Sequence, residues 1–201
     1  MKFDDEPPDD AAVIQGLAAL KRDGGTVLVV GAISTAHGHV CRRLLGEDAE
    51  EVLVRTDGTV RTDEGDTEPA VVIERPVATR SAAAATSTGP TDLGSLAEEL
   101  REAMEELAAD GADIRVCLDS LRPFVDTTDV PSLVSVLESI REVATETDAV
   151  VHFHLPAMPG AVPSAVFETV DAVVEVIQRG EQTYQQWYLG EDGPTTDWIS
   201  V

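Results

Sequence analysis

Apolar positions along the chain form short unbroken runs, separated by stretches in which they recur every third or fourth residue. The runs predict strands buried on both faces, and the longer period predicts helices with one buried stripe. Val13, Ile14, Leu17 and Leu20 lay out a first helix that Asp23-Gly24-Gly25 stops. Thr26 to Val30 is a first strand, followed by a polar loop and a helix over about 39–45 that turns Val40, Leu44 and Leu45 inward and ends at Gly46. Val52 to Arg55 and Ala70 to Glu74 are the next strands, with Asp57-Gly58 between them able to form a tight hairpin turn and Pro76 as a stop.

Residues 79–91 read as a loop, or through their alanine run as the extension of a helix. Asp92 is the expected N-cap of a helix striped by Leu93, Leu96, Leu100, Met104 and Leu107 and closed by Gly111. Ile114 to Leu118 is a strand, Pro131 to Ala144 a helix, Ala149 to Leu155 a strand and Pro163 to Val170 a short helix. Ala172 to Ile177 and Tyr184 to Leu189, joined by Arg179-Gly180-Glu181, form an antiparallel ending. This alternation predicts an α/β domain over 10–201, with a mostly parallel central sheet, helices on both faces and antiparallel strands at the C-terminal edge. Residues 1–9, acidic and proline-bearing, read as a flexible tail.

Composition narrows the setting. The 201 residues suit one core, and 38 acidic against 14 basic residues give a net charge of −24. Such a surface repels itself in dilute buffer and is screened in concentrated salt, so an acidic chain whose only lysines are Lys2 and Lys21 points to a saline cytoplasm. A hydrophobic fraction of 43%, in periodic blocks, excludes an acidic disordered chain. No basic stripe exists to meet a phosphate backbone, so nucleic acid is not an expected partner. No apolar run has the length of a secretory leader or a bilayer span, so no membrane association is expected. Cys41 and Cys117 are too far apart in sequence for a paired-cysteine zinc motif and read as small apolar fillers.

The segment VLVVGAISTAHGHVCRRLLGE, residues 27–47, is framed like a phosphate loop. A working loop needs backbone N–H groups around the phosphates, a lysine reaching the outer ones and a hydroxyl holding magnesium. Counted from Gly31, Ala36 stands where the second glycine belongs, His37 where the lysine belongs and Gly38 where the hydroxyl belongs. Ordinary ATP hydrolysis is therefore not expected. Gly31, Ser34, Thr35, His37 and Gly38 still outline an anion-friendly corner for weak nucleotide binding. Asp119 and Ser120, ending the run RVCLDS, would join it, the aspartate either holding magnesium or capping the next turn.

All four histidines occur in pairs, His37 with His39 and His152 with His154. The second pair sits on a strand and shares one face. If that strand lies beside the one ending at Gly31, then His37, His39, Asp119 and His154 approach one sheet edge as a candidate divalent-metal set. The plain alternative is that backbone and water satisfy these rings. Trp187 and Trp198 near the C-terminus either anchor a protein partner, a second copy included, or seal the core.

The double glycine before the first strand, the loop at Gly31, RVCLDSLRPF, AVVHFHLPAM and VFETVDAVVEV with Asp171 follow in an order that resembles the RecA/KaiC-like P-loop ATPase core over about residues 12–190. The chain looks similar to the degenerate RecA-like proteins found in extremely halophilic archaea. That resemblance implies a three-layer α/β sandwich and, with the phosphate loop lost and no catalytic glutamate evident near Glu74, a non-enzymatic regulatory or assembly module that works through protein contacts without a cofactor. The alternatives are a nucleotide-binding protein or NTPase with His37 in the lysine's place and Asp119 on magnesium, and a histidine-based metal site.

Overall fold

A computed structural model of the protein describes residues 10–46, 49–56, 68–75, 93–190 and 193–201. One eight-stranded sheet runs in the order β3 (Val71–Glu74), β2 (Glu50–Arg55), β4 (Ile114–Leu118), β5 (Val150–Leu155), β1 (Gly25–Val30), β6 (Ala172–Arg179), β7 (Gln182–Leu189) and β8 (Ile199–Ser200). Strands β3 through β6 are parallel and β7 pairs antiparallel with β6, as the sequence predicts; β8, which the sequence reading does not single out, pairs antiparallel with β7. Every residue of β1, β4 and β5 is buried; in β1 this shows as the apolar run Val27 to Val30, while β4 and β5 admit Arg115, His152 and His154.

Successive residues of the central strands face opposite layers. Leu28, Val116 and Phe153 belong to a core shared with α3 (Leu93–Ala109), α4 (Arg122–Thr127), α5 (Val130–Glu146) and α6 (Ser164–Thr169). Val27 and Val29 face the other way, with Val13 of α1 (Asp10–Asp23) and Ala36 and Val40 of α2 (Ser34–Leu45). Helix α5 starts on a true N-cap, the Asp129 carboxylate accepting from the Ser132 N–H at 3.1 Å. Asp171 ties three elements together. Its carboxylate accepts from the Thr26 N–H at 2.9 Å and from the Arg141 guanidinium at 2.8 Å, joining the starts of β1 and β6 to α5.

Three departures from the sequence reading matter. Helix α2 begins at Ser34, not near His39, so His37 lies on the helix and not in the loop before it. Its entry lacks a polar cap, because Ile33 sits at the N-cap without a side-chain bond, which is why the start is hard to see in sequence. Helix α4 is too short to show a period and is held by buried Phe124. Strands β2 and β3 pair in parallel, which excludes a hairpin joining them directly. The Asp57-Gly58 turn, the 79–91 loop, the Asp92 cap and the 1–9 tail lie outside the described residues.

Trp187 is part of the core packed under α1 and α2, whereas Trp198 is half-buried with the Arg179 guanidinium 5.8 Å from its ring centre. Among the described residues no helix is long and apolar enough to cross a membrane.

Candidate functional site

The C-terminal ends of β1, β4 and β5 lie at one edge of the sheet, where a doubly covered parallel sheet would hold a ligand. The chain leaves β1 through Gly31-Ala32-Ile33 and is already helical at Ser34. Amides that a phosphate loop would turn toward an anion therefore run along a helix, and that of Ala36 bonds the Ile33 carbonyl at 3.1 Å. Gly31 is needed for packing: a Cβ there would meet the Val176 backbone carbonyl of β6 and lie 2.6 Å from the Val176 Cγ2. Ser34 is half-buried and Thr35 exposed at the first turn.

His37, in the lysine's position, points inward and is 0% exposed. Its Nε2 lies 2.8 Å from the Gly31 carbonyl and its Nδ1 3.2 Å from Nδ1 of His154. Burial, then the neighbouring His154, lowers its pKa to about 3, so the ring is neutral at ordinary pH. Asp119 is also internal. One carboxylate oxygen accepts from the Thr56 N–H at 2.8 Å and the Thr56 hydroxyl at 2.5 Å, fastening the end of β4 to the residue after β2. Ser120 is fully buried; its carbonyl accepts from the same hydroxyl and its Oγ from the Arg122 N–H. The turn after β4 is thus capped by Ser120, while the Asp119 carboxylate bonds across to Thr56.

The expected metal set does not assemble as a whole. His37 and His154 touch, because β5 does lie beside β1. His39, one residue beyond Gly38 on α2, instead reaches β7, its Nδ1 3.1 Å from the Thr183 hydroxyl. Asp119 is engaged with Thr56. A different group converges: Cys41, Cys117, His152 and His154 each offer a ligand atom, and these atoms lie within 4.8 Å of one another.

Geometry explains the convergence. His152 and His154 share a face of β5, and Cys117 of β4 is the register partner of His152. Cys41 lies one helical turn beyond His37 on α2, which covers that face. The two sulfurs are 3.2 Å apart, and Cys41 Sγ is 3.3 Å from His152 Nε2. All four side chains are buried. Burial pushes the Cys117 thiol well up, while the bond from Cys117 holds Cys41 well down, and burial lowers His154. The cysteines pack as small buried residues with Leu45 and Leu53 between α2 and the sheet, as the sequence reading expects, and they also border the two strand histidines.

The cluster is not closed by its own hydrogen bonds. Among the described residues, His152 Nδ1 and His154 Nε2 are buried without a partner. An orphaned buried polar atom costs about 1–3 kcal/mol, and two in one cluster call for a physical reason.

Residues 24–176 match a family of unknown function (DUF7504). The chain belongs to this family. The match takes in Gly31, His37, Asp119 and all four residues of the cluster, and ends within β6 before β7 and β8. No curated protein matches the chain.

Proposed function

We propose that this DUF7504 chain is a non-enzymatic RecA/KaiC-like module that acts through protein contacts, regulatory or in assembly, in a high-salt cytoplasm. One observation carries the reading: His37, at the position of the phosphate-binding lysine, is wholly buried and bonded to the Gly31 carbonyl and to His154. A side chain so engaged has no reach toward a triphosphate outside the sheet edge. Asp119, the would-be magnesium ligand, is 1% exposed and bonded to Thr56. The placement of β5 beside β1 supports the RecA-like likeness, which expects the His154 strand next to the Gly31 strand. The net charge of −24 supports a saline setting.

The loops beyond the two strands favour protein contact. Ile33, after β1, is 40% exposed and Met158, after the adjacent β5, is 63% exposed, so this edge presents apolar groups where a nucleotide enzyme would present cations. Calorimetry with magnesium ATP and magnesium GTP in molar potassium chloride tests the reading. A flat titration is expected, whereas micromolar binding abolished by Asp119→Ala would overturn it. Light scattering from dilute buffer to molar potassium chloride tests the second copy as a partner, and a monomer throughout removes it.

A further inference from the structure

We propose that Cys41, Cys117, His152 and His154 form a tetrahedral structural zinc site in the interior of the domain, between α2 and strands β4 and β5. The four ligand atoms lie within 4.8 Å of one another and all four residues are 0% exposed. They come from three elements, so the site exists only in the folded chain.

The hydrogen bonds fix which atom faces the ion. A carbonyl only accepts, so His37 Nε2 carries the proton it donates to Gly31 O. In a neutral ring His37 Nδ1 is then bare, and the 3.2 Å contact requires His154 Nδ1 to be the donor. His154 Nε2 is left with a lone pair that, among the described residues, no well-formed hydrogen bond fills, the Cys41 thiol that acts on the ring being engaged with Cys117 and His152. A cation is what this lone pair lacks. Its ring is oriented through the other nitrogen by His37 and the Gly31 carbonyl, the outer support that ligating histidines ordinarily have.

Donor chemistry selects the metal. Two sulfurs and two imidazole nitrogens at four corners suit zinc, which takes this set in tetrahedral geometry. Each thiol releases its proton to solvent on binding, and two thiolates with one divalent cation leave no net charge in a dry interior. Four protein ligands leave no open position for water or substrate, so the site is structural and fits a non-enzymatic protein. His37 becomes a positioning residue, the lysine's place in the phosphate-loop frame supporting a ligand instead of a phosphate.

Elemental analysis of the full chain, made without a His-tag and purified in molar potassium chloride without chelator, is expected to find about one zinc per chain. Exchange with cobalt(II) is expected to give the sulfur-to-metal charge-transfer band and strong visible bands of a tetrahedral cobalt thiolate. Cys41→Ser should abolish both signals. Should that variant fail to fold, His37→Gln, which keeps all four ligands, decides: zinc affinity by chelator competition should fall about 10–100-fold. Folded chain with little zinc and no cobalt thiolate spectrum overturns the site, as does a mass showing Cys41 and Cys117 oxidised to a disulfide. A different metal at the same stoichiometry overturns the assignment to zinc. Nucleotide calorimetry reads none of these signals, so either reading can fail alone.

Discussion

His37 of α2 and His154 of β5 meet ring to ring in the interior, their Nδ1 atoms 3.2 Å apart. This contact occupies the space into which a lysine at position 37 would project. Restoring the letter of the motif with His37→Lys is therefore expected to create no nucleotide binding. It should destabilise the fold by about 3 kcal/mol or more, because an ammonium would be buried without a counter-charge. Urea unfolding and calorimetry in molar potassium chloride read both outcomes, and a gain of binding would reverse the interpretation of His37.

Asp119 is expected to act on stability. Asp119→Ala leaves the Thr56 N–H and hydroxyl without their shared acceptor and should cost about 2–3 kcal/mol in urea unfolding. Asp119→Asn retains an acceptor oxygen and should lose less. Equal, near-zero effects for the two variants would argue that the carboxylate serves a ligand instead.

Asp171 and Arg141 should contribute unequally although they are paired. Asp171→Ala removes the acceptor of the Thr26 N–H and hydroxyl and is expected to cost about 2 kcal/mol. Arg141 is 48% exposed, and Arg141→Ala should cost under about 1 kcal/mol. Parallel urea melts of the two variants make the comparison.

Tyr188 supplies a pH test away from the cluster. Burial, then the nearby Glu175, pushes its phenol up to about 12. Because the folded value lies above the ordinary one near 10, its contribution to stability is whole below pH 10 and disappears as pH rises through about 12. Ultraviolet titration should show a late-ionising tyrosine that Tyr188→Phe removes, and an unchanged titration curve in that variant would refute the assignment.

How much was legible follows from which signals are local. The central strands could be read because residues such as Val27 to Val30 are buried on both faces and leave an unbroken apolar run, and Ile114 to Leu118 is broken only by Arg115. The helix of Leu96, Leu100 and Met104 could be read because one face alone is inward. The start of α2 was hidden, because Ser34 to Gly38 is polar, contains glycine and lacks a capping side chain. Starting the helix near His39 concealed that His37 and Cys41 are one turn apart on the same face. Cys41 and Cys117 are separated by 76 residues, and only the strand order brings them together. Of the four residues expected at a metal, His154 alone joins the cluster, and His37 stands behind it.

Gly31→Ala is expected to destabilise the domain by about 2–4 kcal/mol in urea unfolding, since the added methyl meets backbone of β6 that has no rotamer with which to yield. The consequence reaches beyond stability. The glycine that ends β1 reports how closely two neighbouring strands approach, not what lies beyond their tips. A pattern search that takes it as the first letter of a nucleotide motif would therefore gather proteins in part by the spacing of their sheets.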